Sequence, residues 1–309
     1  MRIAILGSGG VGAYFGGRLA AVASAEVAFI ARGAHLDALR SRGLRLESPR
    51  GNIELRPVTA TSDPAEIGPV DVVFFAVKLY DTEGAIALLP PLVGPETVVI
   101  PFQNGVESVD RLTRACGRGH VAGGTAYVAA VIAEPGVIRH TAMDQLIFGE
   151  LDGSRSPRLE RLLEACEPAG FQATLSEHIE TDIWSKFVRL STFSGMTTVT
   201  RCPIGPLRED PDLFAMLQAA CLESIAVARA RGVPLPVKMF DDVMAMVHSL
   251  PPKSKSSMLE DLDRGRPLEL PWLSGAVVRI GREVGIDTPI HRFIATVLKP
   301  HVNGRRASA

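Results

Sequence analysis

The stretch that decides the fold is residues 1–17, MRIAILGSGGVGAYFGG. Its apolar run at residues 3–6 is typical of a strand buried on both faces. The run leads at once into Gly7-Ser8-Gly9-Gly10-Val11-Gly12, and a helical pattern continues through residue 19. A strand, a glycine turn and a helix in that order are the context in which GxGxxG indicates dinucleotide binding.

Each glycine of the motif has its own expected task. Gly7 allows the tight turn, and Gly9 lets the backbone approach a pyrophosphate at the N-terminus of the helix. Gly12 lets the helix pack closely on the strand. A purely structural glycine turn is the alternative. The predicted cofactor-binding loop comprises Gly7, Ser8, Gly9, Gly10, Val11 and Gly12.

Composition narrows the class of protein. The chain has 309 residues, 46% of them hydrophobic, which predicts one or two globular domains. Thirty-three basic and thirty-four acidic residues leave no charge excess for nucleic acid or an anionic membrane, so we expect a small-molecule partner. No export signal or membrane-length apolar run is evident, which favours the cytoplasm. Four scattered cysteines predict reduced thiols and no metal site.

The residue that follows the second predicted strand, residues 26–30, bears on the choice of cofactor. A protein that selects NAD usually has Asp or Glu here, to bind the ribose 2′-hydroxyl, whereas an arginine can pair with the 2′-phosphate of NADP. Arg32 occupies this place, and the next acidic residue is Asp37. The sequence therefore favours NADP. The alternative is that Arg32 is a solvated loop charge.

Further strands predict an α/β domain with a ligand site at one sheet edge. Residues 44–47 and 53–55 alternate as a β-hairpin, residues 70–77 and 98–102 read as buried strands, residues 119–149 are strand-rich, and residues 170–175 form a last strand. Lys78 and Asn104 follow two of these strands. Ligands bind beyond the carboxyl ends of parallel strands, so we expect both near the glycine loop.

From residue 176 the alternation of strand and helix gives way to successive helical patterns. Ile179, Ile183, Phe187 and Leu190 form a buried helical stripe, and further helices are predicted at 210–231, 237–250, 258–262, 273–283 and 289–299. We therefore predict a Rossmann-type α/β domain over residues 1–176 and an all-α domain over residues 177–309. A substrate cleft is expected between the two.

Lys186 is the notable chemical group of the helical half, because it interrupts an apolar stretch, Ile-Trp-Ser-Lys-Phe-Val. Such a lysine either extends to the surface or is held with a lowered pKa, as a general acid requires. The spacing leaves both interpretations open. The candidates considered for proton transfer and orientation are Lys186, Arg189, Arg201, Ser257, Glu260 and Glu269.

Taken together, the motifs resemble one known family. The glycine loop, Arg32, Lys78, Gln103-Asn104-Gly105, Ile183-Trp184-x-Lys186, Ser256-Ser257-Met258 and Glu269 occur in the order found in ketopantoate reductases (2-dehydropantoate 2-reductases). The resemblance implies NADPH-dependent reduction of a 2-keto acid, for the family ketopantoate to pantoate in pantothenate and coenzyme A biosynthesis. It also implies a C-terminal domain with the architecture of 6-phosphogluconate dehydrogenase.

The resemblance assigns roles to particular residues. The glycine loop and Arg32 would hold NADPH, and Lys78 and Asn104 would contact its nicotinamide-side ribose and phosphates. Lys186 would donate the proton, with Glu269 as the second catalytic residue. The implied substrate-binding residues are Asn104, Lys186, Ser194, Ser257 and Glu269.

Three positions depart from the family pattern. Leu190, Ser194 and Ile204 stand where the family usually has substrate-binding asparagines. Either ketopantoate is held by other groups, such as Arg189, Thr192 or Ser194, or the substrate is a less hydroxylated 2-keto compound. A nucleotide-binding sensor without catalysis is a third hypothesis. Apolar faces of the helical half are compatible with a homodimer.

Overall fold

The computed structural model describes residues 1–304, and by its contacts the chain divides into two compact units. The N-terminal unit comprises Met1–Gln103 and Glu107–Glu180. The helical unit comprises Asn104–Val106 and the chain from Thr181 onward. The helix predicted to start at Ser176 begins at Ile179.

The strands of the N-terminal unit form two sheets. Sheet A has the order β5-β2-β1-β6-β7 with every neighbouring pair parallel, and sheet B has the order β10-β9-β3-β4 with β8 also paired to β9. The strands are β1 (Arg2–Leu6), β2 (Glu26–Ile30), β3 (Leu44–Glu47), β4 (Ile53–Leu55), β5 (Thr59–Thr61), β6 (Val70–Phe75), β7 (Val93–Pro101), β8 (Gly123–Glu134), β9 (Val137–Gly149) and β10 (Gln172–Leu175).

Sheet A is the parallel sheet that the sequence predicts around the glycine loop. Strand β1 lies in the middle with β2 on one side and β6 on the other, so the strand order reverses at β1. Ligands bind at the carboxyl ends of the strands where the order reverses. The loop that follows β1 is therefore the topological binding position of this sheet.

The sequence patterns predicted strands in the regions that form sheet B, but they did not predict that these strands pair into a second sheet. The predicted hairpin, β3 and β4, is present and antiparallel. However, β3 also pairs in parallel with β9, which joins it to the long β8–β9 hairpin and, beyond β9, to β10. The hairpin is thus part of a second sheet instead of an appendage of the first.

Helices complete both units. In the N-terminal unit they are α1 (Gly10–Ala20), α2 (Gly33–Arg42), α3 (Thr82–Ile86), α4 (Ser108–Cys116) and α5 (Pro157–Cys166). In the helical unit they are α6 (Ile179–Thr200), α7 (Ile204–Glu209), α8 (Pro211–Ala230), α9 (Met239–Ser249), α10 (Ser257–Asp263), α11 (Ser274–Val284) and α12 (Pro289–Leu298). Asp210 caps α8 through the N–H groups of Asp212 and Leu213, with Pro211 in the first turn.

Helix α8 is also long and apolar enough to cross a membrane by length and composition alone. Its residues Leu217, Ala220, Cys221 and Ile225 are buried in the core of the helical unit. The core helix of a soluble protein has the same composition. Part of its apolar surface is accounted for by this packing, and Leu222 remains exposed.

Candidate functional site

The glycine loop has the geometry that pyrophosphate binding needs. Gly7 has φ +105°, and a Cβ there would lie 2.6 Å from the backbone nitrogen of Val77. A Cβ on Gly12 would lie 2.2 Å from the carbonyl oxygen of Gly7. A Cβ on Gly9, in contrast, would have no atom within 4 Å. Two glycines are thus required by packing, and the third keeps an open approach to the N-terminus of α1.

The other residues of the loop are held by the surrounding structure. The Ser8 hydroxyl donates to the carbonyl oxygen of Ile30 at 3.0 Å, so its side chain joins β2 to the loop. A Cβ on Gly10 would lie 2.0 Å from the carbonyl oxygen of Ala130, since β8 passes over the first turn of α1. The loop therefore fits a dinucleotide by its shape, with Gly9 as its open position.

Arg32 lies beyond the end of β2, at the N-cap position of α2. Its side chain is 81% exposed, and its Nη2 forms an ion pair of 2.8 Å with Asp81. Sequence reasoning missed Asp81, which is 49 residues away along the chain. The pair leaves the guanidinium at the surface, where an exposed pair contributes at most about 1 kcal/mol. A phosphate dianion can compete with Asp81 for the Arg32 guanidinium.

Lys78 follows β6, with extended backbone at φ −61° and ψ 147°. It is exposed and immediately precedes the 3₁₀ turn at Leu79–Asp81, which carries the Arg32 partner. The structure thus places Lys78 and Asp81 in the same segment after β6, and the role of Lys78 in cofactor binding stays a prediction.

The helical unit brings together three of the predicted site residues. The Lys186 ammonium donates to Asn104 Oδ1 at 3.0 Å, and Asn104 Nδ2 donates to Glu269 Oε2 at 3.0 Å. A lysine can only donate and a carboxylate only accept, so chemistry sets the orientation of the amide between them. Asn104 was expected beside the glycine loop; these side-chain partners are in the helical unit.

Electrostatics make Lys186 an unusual lysine. Burial of the ammonium lowers its pKa from 10.5 to about 8, and the Glu269 carboxylate opposes this shift by favouring the charged form. Glu269 is itself only 6% exposed. The lowered pKa is the alternative that the sequence left open. A lysine with a pKa near 8 can give up a proton near neutral pH.

The remaining predicted substrate residues differ in accessibility. Ser257 is exposed in the first turn of α10. Ser194 is fully buried, and its hydroxyl has no hydrogen-bond partner within residues 1–304. Ile204 is also fully buried, in the core of the helical unit. The substrate roles of Ser194 and Ser257 stay predictions.

A polar contact that sequence reasoning missed supports this region. The hydroxyl groups of Thr197 and Ser256 form a hydrogen bond of 2.8 Å, and Ser256 Oγ also accepts from the N–H of Leu259 as the N-cap of α10. This bond joins α6, which carries Lys186, to α10, which begins at Ser257. The serine-rich sequence before α10 indicated a cap, but the partner on α6 is 59 residues away.

Most of the chain matches one known protein family. The family description "Ketopantoate reductase PanE/ApbA" matches residues 3–153, and its C-terminal counterpart matches residues 178–302. The chain belongs to the ketopantoate reductase family. A 2-dehydropantoate 2-reductase of Mesorhizobium japonicum is 32% identical over 94% of each chain, and the Bacillus subtilis oxidoreductase YkpB is 31% identical over 94% of this chain and 95% of its own.

Solved structures agree with this family assignment. The PanE/ApbA family ketopantoate reductase of Ralstonia eutropha has a TM-score of 0.89 and 32% identity, with 97% of this chain and 98% of that chain covered. A D-mandelate dehydrogenase bound to NADH has a TM-score of 0.87 over 97% of this chain and 98% of its own, but at 22% identity it shows the fold alone. The chain is an oxidoreductase of this family with a nicotinamide dinucleotide as cofactor.

Proposed function

We propose that the protein reduces the carbonyl of a 2-keto acid to a 2-hydroxy acid with NADPH, and that ketopantoate, the substrate for which its relatives are named, is one of its substrates. The observation that carries the proposal is the hydrogen-bonded set of Lys186, Asn104 and Glu269, with the pKa of Lys186 lowered to about 8. In the balanced reaction, NADPH, a proton and the keto acid give NADP⁺ and the hydroxy acid.

Lys186 is the proton donor in this proposal. A nicotinamide dinucleotide held by the glycine loop and Arg32 would supply the hydride. The Lys186 ammonium donates a hydrogen bond to the carbonyl oxygen and transfers its proton there as negative charge develops. Asn104 holds the ammonium in place through its Oδ1, and Glu269 keeps the ammonium protonated before the reaction.

Arg32 supports NADPH as the form of the cofactor. It stands where an acidic residue would bind the 2′-hydroxyl of NADH, and its guanidinium is exposed at the surface. A 2′-phosphate dianion would form charge-assisted hydrogen bonds with it, which are stronger than an exposed pair with Asp81.

Steady-state oxidation of NADPH with ketopantoate and a panel of 2-keto acids tests the function. We expect turnover in the wild type and a loss of kcat by orders of magnitude in Lys186→Ala, with NADPH binding retained. Lys238 is an exposed lysine at the N-cap of α9 and provides a matched control. The Lys238→Ala variant should behave as the wild type. NADPH binding without turnover of any 2-keto acid would instead identify a sensor.

We also propose a homodimer and a cytoplasmic location. Leu222 on α8, and Phe293 and Val297 on α12, are exposed large hydrophobic residues on two helices that pack together. Contiguous exposed apolar patches mark protein–protein interfaces, and we propose that these three side chains belong to one. Light scattering after size exclusion should give twice the chain mass, and Phe293→Lys should give the single-chain mass. A single-chain mass in the wild type would contradict the dimer.

A further inference from the structure

The partly exposed positions of α6 near Lys186 form a single line. Within residues 184–198, every residue is buried except Lys186, Arg189, Leu190 and Phe193. Residues three and four apart are neighbours on a helix surface. The open side of α6 next to Lys186 is therefore lined by Arg189, Leu190 and Phe193.

Both of these side chains are apolar and only partly covered. Leu190 and Phe193 pack against the core of the helical unit and keep part of their surfaces open. Val106, two residues after Asn104, packs in the same way. The Cβ of a residue at i+4 lies about 5–6 Å from that of residue i. Leu190 is thus the open apolar neighbour of Lys186 one helical turn further along α6.

The hydroxyl groups of this part of α6 are committed or inaccessible. Thr197 donates to the carbonyl oxygen of Phe193 at 2.7 Å and shares a second hydrogen bond of 2.8 Å with the Ser256 hydroxyl. Thr192 donates to the carbonyl oxygen of Val188 at 2.8 Å. Ser194 has an unpartnered hydroxyl, but the residue is 0% exposed. A substrate hydroxyl that lies against Leu190, out of reach of the Arg189 guanidinium, would lose its hydrogen bonds to water without replacement.

We propose that this face of α6 selects 2-keto acids with a fully apolar side chain, so that the enzyme prefers 3,3-dimethyl-2-oxobutanoate to ketopantoate. The two compounds share one carbon skeleton and differ only in the hydroxyl that ketopantoate carries. The inference rests on the proposed 2-keto acid reductase function and concerns the substrate class of the same site. The reaction at the carbonyl is identical for both compounds.

The wild-type enzyme is tested first, with NADPH and each of the two compounds. The kcat/KM for 3,3-dimethyl-2-oxobutanoate should exceed that for ketopantoate by roughly 5- to 150-fold, the range expected for one unsatisfied polar group. Leu190→Asn should shift this ratio toward ketopantoate by at least about tenfold. Leu88→Asn, the same substitution at an exposed leucine of the N-terminal unit, should leave the ratio unchanged.

Three other results would each contradict the inference. A wild-type ratio of one, or one that favours ketopantoate, would overturn the inference while leaving the reductase function intact. Ser194→Ala is a second test: if it lowers kcat/KM for ketopantoate at least tenfold and spares the deoxy compound, Ser194 recognises the hydroxyl and the inference is wrong. Turnover of neither compound, nor of any 2-keto acid in the panel, would overturn the proposed function and the inference with it.

Discussion

Replacing Lys186 with methionine should abolish the rise in stability with pH that the buried ammonium causes, at the expense of activity. Burial lowers the pKa of Lys186 from 10.5 to about 8, so the folded protein holds a proton that it binds less tightly than the unfolded chain does. Each unit of pKa corresponds to about 1.4 kcal/mol, which gives a cost of about 3 kcal/mol below pH 8. Methionine has a similar length and carries no charge.

The sign of the pH dependence follows from the direction of the shift. Between about pH 8 and 10.5 the unfolded state binds more protons than the folded state, so the stability of the wild type rises with pH. About 2 kcal/mol of the cost should be recovered between pH 7 and pH 9.5. The Lys186→Met variant lacks this gain. Its stability relative to the wild type should therefore fall by about 2 kcal/mol over the same interval.

Urea unfolding followed by tryptophan fluorescence measures this difference. Both tryptophans, Trp184 and Trp272, belong to the helical unit, so the signal reports the unit that contains Lys186. Asn104 loses a donor in the variant, but that penalty is the same at both pH values and cancels. Lys238→Met, at an exposed lysine, should show no such pH dependence relative to the wild type. A Lys186→Met difference that stays constant from pH 7 to 9.5 would refute the reasoning.

Three further outcomes are expected. The kcat for keto acid reduction should fall above about pH 8, because the Lys186 ammonium loses its proton there; a profile flat to pH 9.5 would exclude it as the donor. Gly9→Ala should keep the wild-type melting temperature and raise the KM for NADPH at least about tenfold, whereas Gly12→Ala should be destabilised by about 1–3 kcal/mol or more through its clash with the Gly7 carbonyl. Arg32→Ala should reduce the preference for NADPH over NADH by roughly 10- to 150-fold in kcat/KM, and Arg42→Ala on the same helix should not. Equal melting temperatures for the two glycine variants, or an unchanged coenzyme preference, would contradict the corresponding roles.

The glycine loop of the N-terminal unit could be predicted because the residues that form its motif are contiguous in the sequence. The strand, the glycine loop and the start of the helix are contiguous, and two needs for glycine are local as well: the positive φ of Gly7 and the contact of Gly12 with the Gly7 carbonyl. Arg32 could be identified because it follows the second predicted strand, at the sequence position where an NAD-selecting protein has an acidic residue. The hairpin at β3 and β4 was predicted too, but its parallel pairing with β9 depends on a strand some 90 residues later.

The candidate site of the helical unit could be predicted only as a set of residues. Lys186 stood out because it interrupts an apolar stretch, and the resemblance to a family supplied Asn104 and Glu269 as its companions. The bonds that join them span 82 and 165 residues. No periodicity in the sequence specifies contacts at that separation, so their geometry had to come from the structure.

The sequence by itself determined the order of the two units, the dinucleotide loop and the identity of the chemical groups, because each is written in contiguous patterns of apolar, glycine and charged residues. The tertiary structure alone decided whether Lys186 is a solvated lysine or a weak acid, since its pKa depends on how much of the ammonium is desolvated and on its distance from Glu269. It likewise decided that Leu190 and Phe193 share the open face with Lys186, because burial on a helix is set by what packs around it.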